Sequence, residues 1–193
     1  MTKRALVTGS PHRVEDVAAS LEAAGFEVLR AEGLEALERL DAQIELGPGS
    51  LDAYVQLPVD IRADADSVTG QIEALLEHGI LLRYRWAEAV LPLLARDAQV
   101  VLVPGNLPPK LSAPDDHRAR VALLQVLAHA MRADRAPAAL AVTVASSGSS
   151  AQELASMAQG YRVESRPDYA NLWPDMDYDD WRLAVLGLAS LEG

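Results

Sequence analysis

The chain contains no cysteine, two lysines and one phenylalanine among its 193 residues. Without thiols it forms no disulfide, no thiolate metal site and no cysteine nucleophile, and it suits a reducing compartment. Lysine is confined to Lys3 and Lys110, so a catalytic lysine has almost nowhere to come from. Long apolar runs are lacking too. The run after Lys3 and Arg4 breaks at Thr8-Gly9, and no stretch approaches the roughly 18 apolar residues of a membrane helix. The start reads as a strand rather than a signal peptide, and the expected location is the cytoplasm. Acidic residues outnumber Lys and Arg by 28 to 17, for a formal charge of −11. A surface of that sign repels phosphate backbones, so neither nucleic acid nor membrane is expected as a partner.

What is present is half hydrophobic, enough for one domain with one core. Arg4 to Ser10 reads as a buried strand running into a tight turn. A helix follows, with Val14, Val17, Ala18, Leu21 and Ala24 on one face and Gly25 as its stop. Phe26–Leu29 is a second strand, and Arg30 follows it. Leu34, Leu37 and Leu40 recur at helical spacing, and Ile44–Leu46 reads as a remnant strand. Leu51–Leu57 is a strand stopped by Pro58. A long helix then carries Val68, Ile72, Leu75, Gly79, Leu82, Trp86, Val90 and Leu93 on its core stripe. Val100–Val103 is a continuous apolar strand of the parallel kind, ended by Pro104-Gly105 and a proline-rich loop to Pro114.

The helix that starts at Asp115 or Asp116 is apolar on two sides, through Val121, Leu124, Leu127, Ala128 and Met131 and through Leu123, Val126 and Ala130. Two apolar sides need two covers. The sheet supplies one, and a second copy of the chain is expected as the other, a dimer through the 115–133 and 67–96 helices. A further strand at Ala139–Ala145, a short helix at Ala151–Gln159 and a last strand at Trp181–Leu188 complete the order. Strands alternating with helices predict an α/β fold, a doubly wound parallel sheet in a three-layer α/β/α domain spanning 1–193. Within it, 148–180 stands apart as an aromatic and acidic lid or edge segment. Tyr161, Tyr169, Trp173, Tyr178 and Trp181 alternate there with Asp168, Asp175, Asp177, Asp179 and Asp180. The histidines (His12, His78, His117, His129) lack metal-ligand spacing, so no metal is expected.

The order of elements resembles the short-chain dehydrogenase/reductase family over roughly Thr2 to Ser150. Thr8-Gly9-Ser10 resembles the start of the family's Thr-Gly-x-x-x-Gly-x-Gly loop. Leu51–Val55 resembles the strand before its Asn-Asn-Ala-Gly motif, and Trp86–Leu94 the end of its central helix. Val100–Val103 resembles the strand that carries the catalytic serine, and Val142-Thr143-Val144 with Ser147-Gly148 the sixth strand and the Pro-Gly after it. The resemblance implies a Rossmann-like fold and NAD(P) at Thr8, Gly9, Ser10 and Arg13, with Arg30 where relatives that prefer NADP often place a basic residue.

The chain departs from the family at the positions that do its chemistry. The second and third loop glycines fall at Arg13 and Glu15, and Pro11 removes an amide that an anion would use. The Asn-Asn-Ala-Gly position holds Gln56-Leu57-Pro58-Val59. The serine position falls near Pro104 or Gly105, and the tyrosine and lysine near Asp116 and Arg120. No tyrosine has a lysine four residues on, so the usual acid is missing and no residue is assigned a catalytic role. The expectation is a short-chain-dehydrogenase-like protein that has lost reductase activity and serves as a scaffold, a regulatory subunit or the partner of another protein, with no NAD(P) or only weak NAD(P) binding. The alternatives are a divergent NAD(P)-dependent oxidoreductase with an atypical site and a small-ligand sensor.

Overall fold

The computed structural model describes residues 2–31, 36, 39, 46–59, 69–70, 73, 76–105, 114–136 and 140–163, with backbone alone at 78 and 114–119. Among the described residues, five parallel strands form one sheet: β1 (Lys3–Thr8), β2 (Phe26–Ala31), β3 (Leu51–Gln56), β4 (Leu94–Leu102) and β5 (Ala141–Val144), in the order β2-β1-β3-β4-β5. The helices described in full are α1 (Pro11–Ala23), α2 (Leu82–Val90) and α3 (Pro114–Asp134) between strands and α4 (Ala151–Ala158) after β5. A π-helical segment, Glu77–Leu81, leads into α2, and a 3-10 turn, Leu91–Leu93, follows it.

Both faces of the sheet are covered, which is why its strands are apolar without alternation. Ala5, Val7, Ala53, Val55, Leu57, Val101 and Val103 point to one side, where Val14, Val17 and Leu21 of α1 and Leu154 of α4 close the core. Leu6, Tyr54, Val100, Leu102 and Val142 point to the other, against Ala87 and Val90 of α2 and Leu124, Leu127 and Met131 of α3. Each buried Val, Leu or Met among them contributes roughly 1.5–3 kcal/mol. The doubly wound α/β expectation therefore holds. No helix among the described residues is long and apolar enough to cross a membrane.

Local chemistry explains most boundaries. Ser10 takes an extended N-cap backbone with no side-chain capping bond, and Pro11 occupies the first helical turn of α1, where its missing N–H costs nothing. At the other end of the helix, Gly25 follows the C-cap Ala24 and stands at φ +92°. Ser150 and Glu153 close α4 with a full capping box.

Three expectations need correction. Arg30 lies inside β2, paired with Val7, rather than after the strand. The helix expected to reach residue 96 gives way at Leu91, because Pro92 tightens the turn and Leu94 pairs with Leu51 of β3. Within the helical stripe, Leu82 is only half-buried and Arg83 is buried in its stead. Arg83 shares a face with Trp86, Ala87 and Val90, all buried. Of the segment 148–180, Ala151–Ala158 packs on α1 as a helix. The aromatic stretch beyond residue 163, the last strand at 181–188, most of the helix from Leu34, residues 44–45 and the loop at 106–113 lie outside the described residues.

Candidate functional site

In a sheet of this order the strand sequence reverses between β1 and β3, and the crevice above their carboxyl ends is where such folds place ligands. Here that crevice begins with Gly9. Its backbone sits at φ +140°, and a Cβ built on it would stand 2.5 Å from Leu57 Cβ and 3.0 Å from the Leu57 carbonyl carbon and oxygen. The turn after β1 is thus laid directly on the chain leaving β3. Two hydrogen bonds fasten the contact: Leu57 N–H donates to the Thr8 carbonyl (2.8 Å), and Ser10 N–H donates to the Pro58 carbonyl (3.0 Å). Pro11 has no N–H. The start of α1, an anion cradle in dinucleotide-binding folds, has one amide spent and the next absent.

Arg13 and Arg30 are half-buried and occupied by protein groups. Arg13 Nη2 donates to the carbonyls of Ser147 (3.1 Å) and Ser149 (3.0 Å), so α1 is tied to the loop after β5. Burial pushes this guanidinium below its ordinary value. Arg30 reaches Glu22 at 2.7 Å and Glu15 at 3.4 Å, both on α1, and its pKa is raised mainly by the Glu22 bond. Thr8, Gly9, Ser10 and Arg13 do share one end of the sheet, whereas Arg30 joins the neighbouring strand to α1.

Beneath the crevice, on the α2 and α3 side, lies a polar network that spacing alone does not disclose. The sheet register sets Thr8 beside Gln56. Thr8 Oγ1 and Tyr54 Oη are 3.0 Å apart, and either hydroxyl can donate. Gln56 Nε2 donates to Tyr54 Oη (3.1 Å) and to the Arg83 carbonyl (2.8 Å). Arg83 answers with Nε to Gln56 Oε1 (3.0 Å) and Nη2 to the Gln56 carbonyl (3.2 Å). Thr8, Tyr54 and Gln56 are fully enclosed, and Arg83 is 4 % exposed. Burial pushes the Tyr54 phenol up to about 12, against the opposing effect of its two hydrogen bonds and of Arg83. Burial likewise pushes Arg83 down to about 10; the Tyr54 phenol counters this, and the positive charge of Arg120 adds to it.

Arg83 is the residue that the apolar pattern conceals. It stands four after Gly79 and three before Trp86, so a charge on the buried stripe was the available signal. Arg120 of α3 is also buried. Its Nη1 lies 3.2 Å from where a Cβ would stand on Gly105, and that Cβ would also meet Pro58 Cβ at 2.9 Å. The side chain of Asp116 lies outside the described residues. Among the described residues no cluster of His, Asp and Glu could hold a metal ion. Tyr161, the described member of the aromatic stretch, is 66 % exposed.

No family model and no curated protein matches this sequence. Among solved structures, the chain is similar to a protein of Corynebacterium glutamicum described as a short-chain dehydrogenase/reductase, with a TM-score of 0.53 and 18 % identity. The likeness covers 82 % of this chain and 91 % of that one. At that identity the shared property is the fold: this protein is a doubly wound, Rossmann-like α/β domain of the kind seen in that short-chain dehydrogenase/reductase.

Proposed function

We propose that this protein is a short-chain-dehydrogenase-like protein that no longer carries out hydride transfer and works instead through binding, as a scaffold, a regulatory subunit or the partner of another protein. One observation carries the reading: the turn at Gly9 is closed on Leu57 and Pro58, with the Ser10 amide given to the Pro58 carbonyl and Pro11 next in line. A diphosphate needs those amides free. The absence of a tyrosine with a lysine four residues on, and Gly105 near the serine position, favour the same reading.

The melting temperature in NADH and NADPH tests it. Millimolar nucleotide with a micromolar dissociation constant would stabilise the fold by about 4 kcal/mol. The reading predicts no shift with either, and a clear shift would favour a divergent NAD(P)-dependent oxidoreductase holding its cofactor through Thr8, Gly9, Ser10, Arg13 and Arg30. Self-association through α2 and α3 belongs to the same proposal. Leu123 and Val126 are half-buried, although Tyr84 of α2 already donates to the Leu123 carbonyl at 2.6 Å. Light scattering on Leu123→Glu with Val126→Glu should report a monomer where the wild type is a dimer; dimeric variants would refute that face.

A further inference from the structure

We propose that Arg83 is a latch on the crevice: acting through Gln56, Tyr54 and Thr8, it holds the turn at Gly9 shut, so that the seat of α2 governs whether the start of α1 is open. The proposal rests on the reading above, that the crevice is closed by the chain's own backbone, and names what keeps it closed.

The closing contact is made by Gly9 and Leu57, and each directly follows a member of the buried network. Thr8 precedes Gly9, and Gln56 precedes Leu57. Leu57 faces the α1 side of the sheet. Thr8 and Gln56 reach Tyr54, which faces the α2 side. There a single hydroxyl gathers both strand ends, with Tyr54 Oη 3.0 Å from Thr8 Oγ1 and 3.1 Å from Gln56 Nε2. The backbone repeats the join on the next residue, where Leu57 N–H donates to the Thr8 carbonyl at 2.8 Å. Whatever fixes Gln56 therefore fixes the turn.

Arg83 is what fixes it. Gln56 Nε2 donates to the Arg83 carbonyl, Arg83 Nε donates to Gln56 Oε1, and Arg83 Nη2 donates to the Gln56 carbonyl. That carbonyl also accepts from Val103 N–H at 2.9 Å, on the chain leaving β4. Every member of the network is buried. Such bonds strengthen one another in a low dielectric, and a half-broken set leaves polar groups unsatisfied, so the network is either made or broken. The charge on Arg83 makes it releasable. Among the described residues its acceptors are the amide oxygen and backbone carbonyl of Gln56, both neutral, and a guanidinium held out of water without negative charge opposes its own burial. A pull that draws α2 outward returns that charge to water and lowers the cost of release. The next residue, Tyr84, ties α2 to the Leu123 carbonyl of α3, so a partner seated on those helices acts on the element that bears the latch.

Amide hydrogen exchange of the full chain, followed residue by residue by NMR, is the test. The reporters are the Leu57 and Ser10 amides, bonded to the Thr8 and Pro58 carbonyls. The reference is the Ala145 amide, bonded to the Leu102 carbonyl at the same end of the sheet but outside the network. Arg83→Met removes the donors and keeps an apolar stem, and Thr8→Val removes a hydroxyl alone. Relative to Ala145, exchange at Leu57 and Ser10 should quicken about tenfold or more in Arg83→Met, as expected for lost charged hydrogen bonds, and about fivefold in Thr8→Val, a neutral one. Val90→Ala also lies on the buried face of α2 but outside the network, and should quicken the three amides alike. If Arg83→Met does not fold, Thr8→Val decides alone. The latch is refuted if the ratio to Ala145 keeps its wild-type value in either network variant, or if Val90→Ala raises it as much as they do. A nucleotide-induced rise in the wild-type Tm overturns the closed crevice, and the latch with it. Unaltered ratios without a nucleotide shift overturn the latch alone.

Discussion

Replacing Gly9 with alanine should be among the most damaging single-methyl changes in this protein. Two costs combine. The backbone stands at φ +140°, a conformation that penalises an L side chain by about 1–2 kcal/mol. The new Cβ would also meet Leu57 Cβ at 2.5 Å and the Leu57 carbonyl group at 3.0 Å, and crowding of that kind in a packed region costs about 1–3 kcal/mol. The sum is about 2–5 kcal/mol, a large share of the 5–15 kcal/mol that holds an ordinary domain. Gly25→Ala separates the two costs. Gly25 has φ +92° but nothing within 4 Å of its Cβ position, so only the backbone cost of about 1–2 kcal/mol applies. Urea unfolding would show both variants with lower midpoints at an unchanged slope, Gly9→Ala by clearly more. Adding Leu57→Ala to Gly9→Ala should not rescue it, because the clashing atoms are the Leu57 Cβ and backbone, which alanine retains. If Gly9→Ala costs no more than Gly25→Ala, the close approach of the two chain segments is not as described.

Two further outcomes follow from the buried network and from α4. Tyr54 holds its proton more tightly folded than unfolded, with a pKa pushed up to about 12, so above pH 10 the unfolded chain binds fewer protons and stability falls as pH rises. Arg83, pushed down to about 10, gives the opposite slope over the same range, so the Tyr54 contribution is read as a difference. Relative to Tyr54→Phe, the wild type should lose about 2–3 kcal/mol between about pH 10 and 12, although Tyr54→Phe should be less stable near neutrality by about 1 kcal/mol, and parallel alkaline limbs would contradict the assignment. Ser150→Ala removes the oxygen that accepts from Glu153 N–H and should cost about 1 kcal/mol, read as a lower urea midpoint. The Ser150 bonds also hold Glu153 below the usual carboxylate range, a contribution present above the unfolded pKa and lost as pH falls through the folded one, so the gap between Ser150→Ala and wild type should narrow in acid.

The architecture was legible because its signals are local. Val100 to Val103 and Leu51 to Val55 are apolar at successive positions, as strands covered on both faces must be, and Pro11 and Gly25 bracket α1 in the chain itself. The start of β4 was not, because Ala95-Arg96-Asp97 carries no apolar run and is held in the sheet through Leu94 opposite Leu51. Arg83 was hidden because the neighbouring Leu82 offers an apolar residue for the same stripe, while the buried position falls to the charged one. The partnership of Thr8, Tyr54, Gln56 and Arg83 depends on the register of β1 against β3 and on how α2 lies over them, and neither is written in any short stretch of sequence. Conversely, Arg13 and the proline at residue 11 were plain from the chain. What the structure adds is how those residues are used: Arg13 on the Ser147 and Ser149 carbonyls, and the neighbouring Ser10 amide on Pro58.

The central claim is that the ground where a dinucleotide's phosphates would rest is already occupied by this protein's own backbone. Calorimetric titration of the wild-type chain with NADPH is its most direct measurement. The account predicts no saturable heat up to millimolar nucleotide. A well-defined isotherm that Arg13→Ala or Gly9→Ala abolishes would mean that the crevice opens to receive the diphosphate, and the account would be wrong.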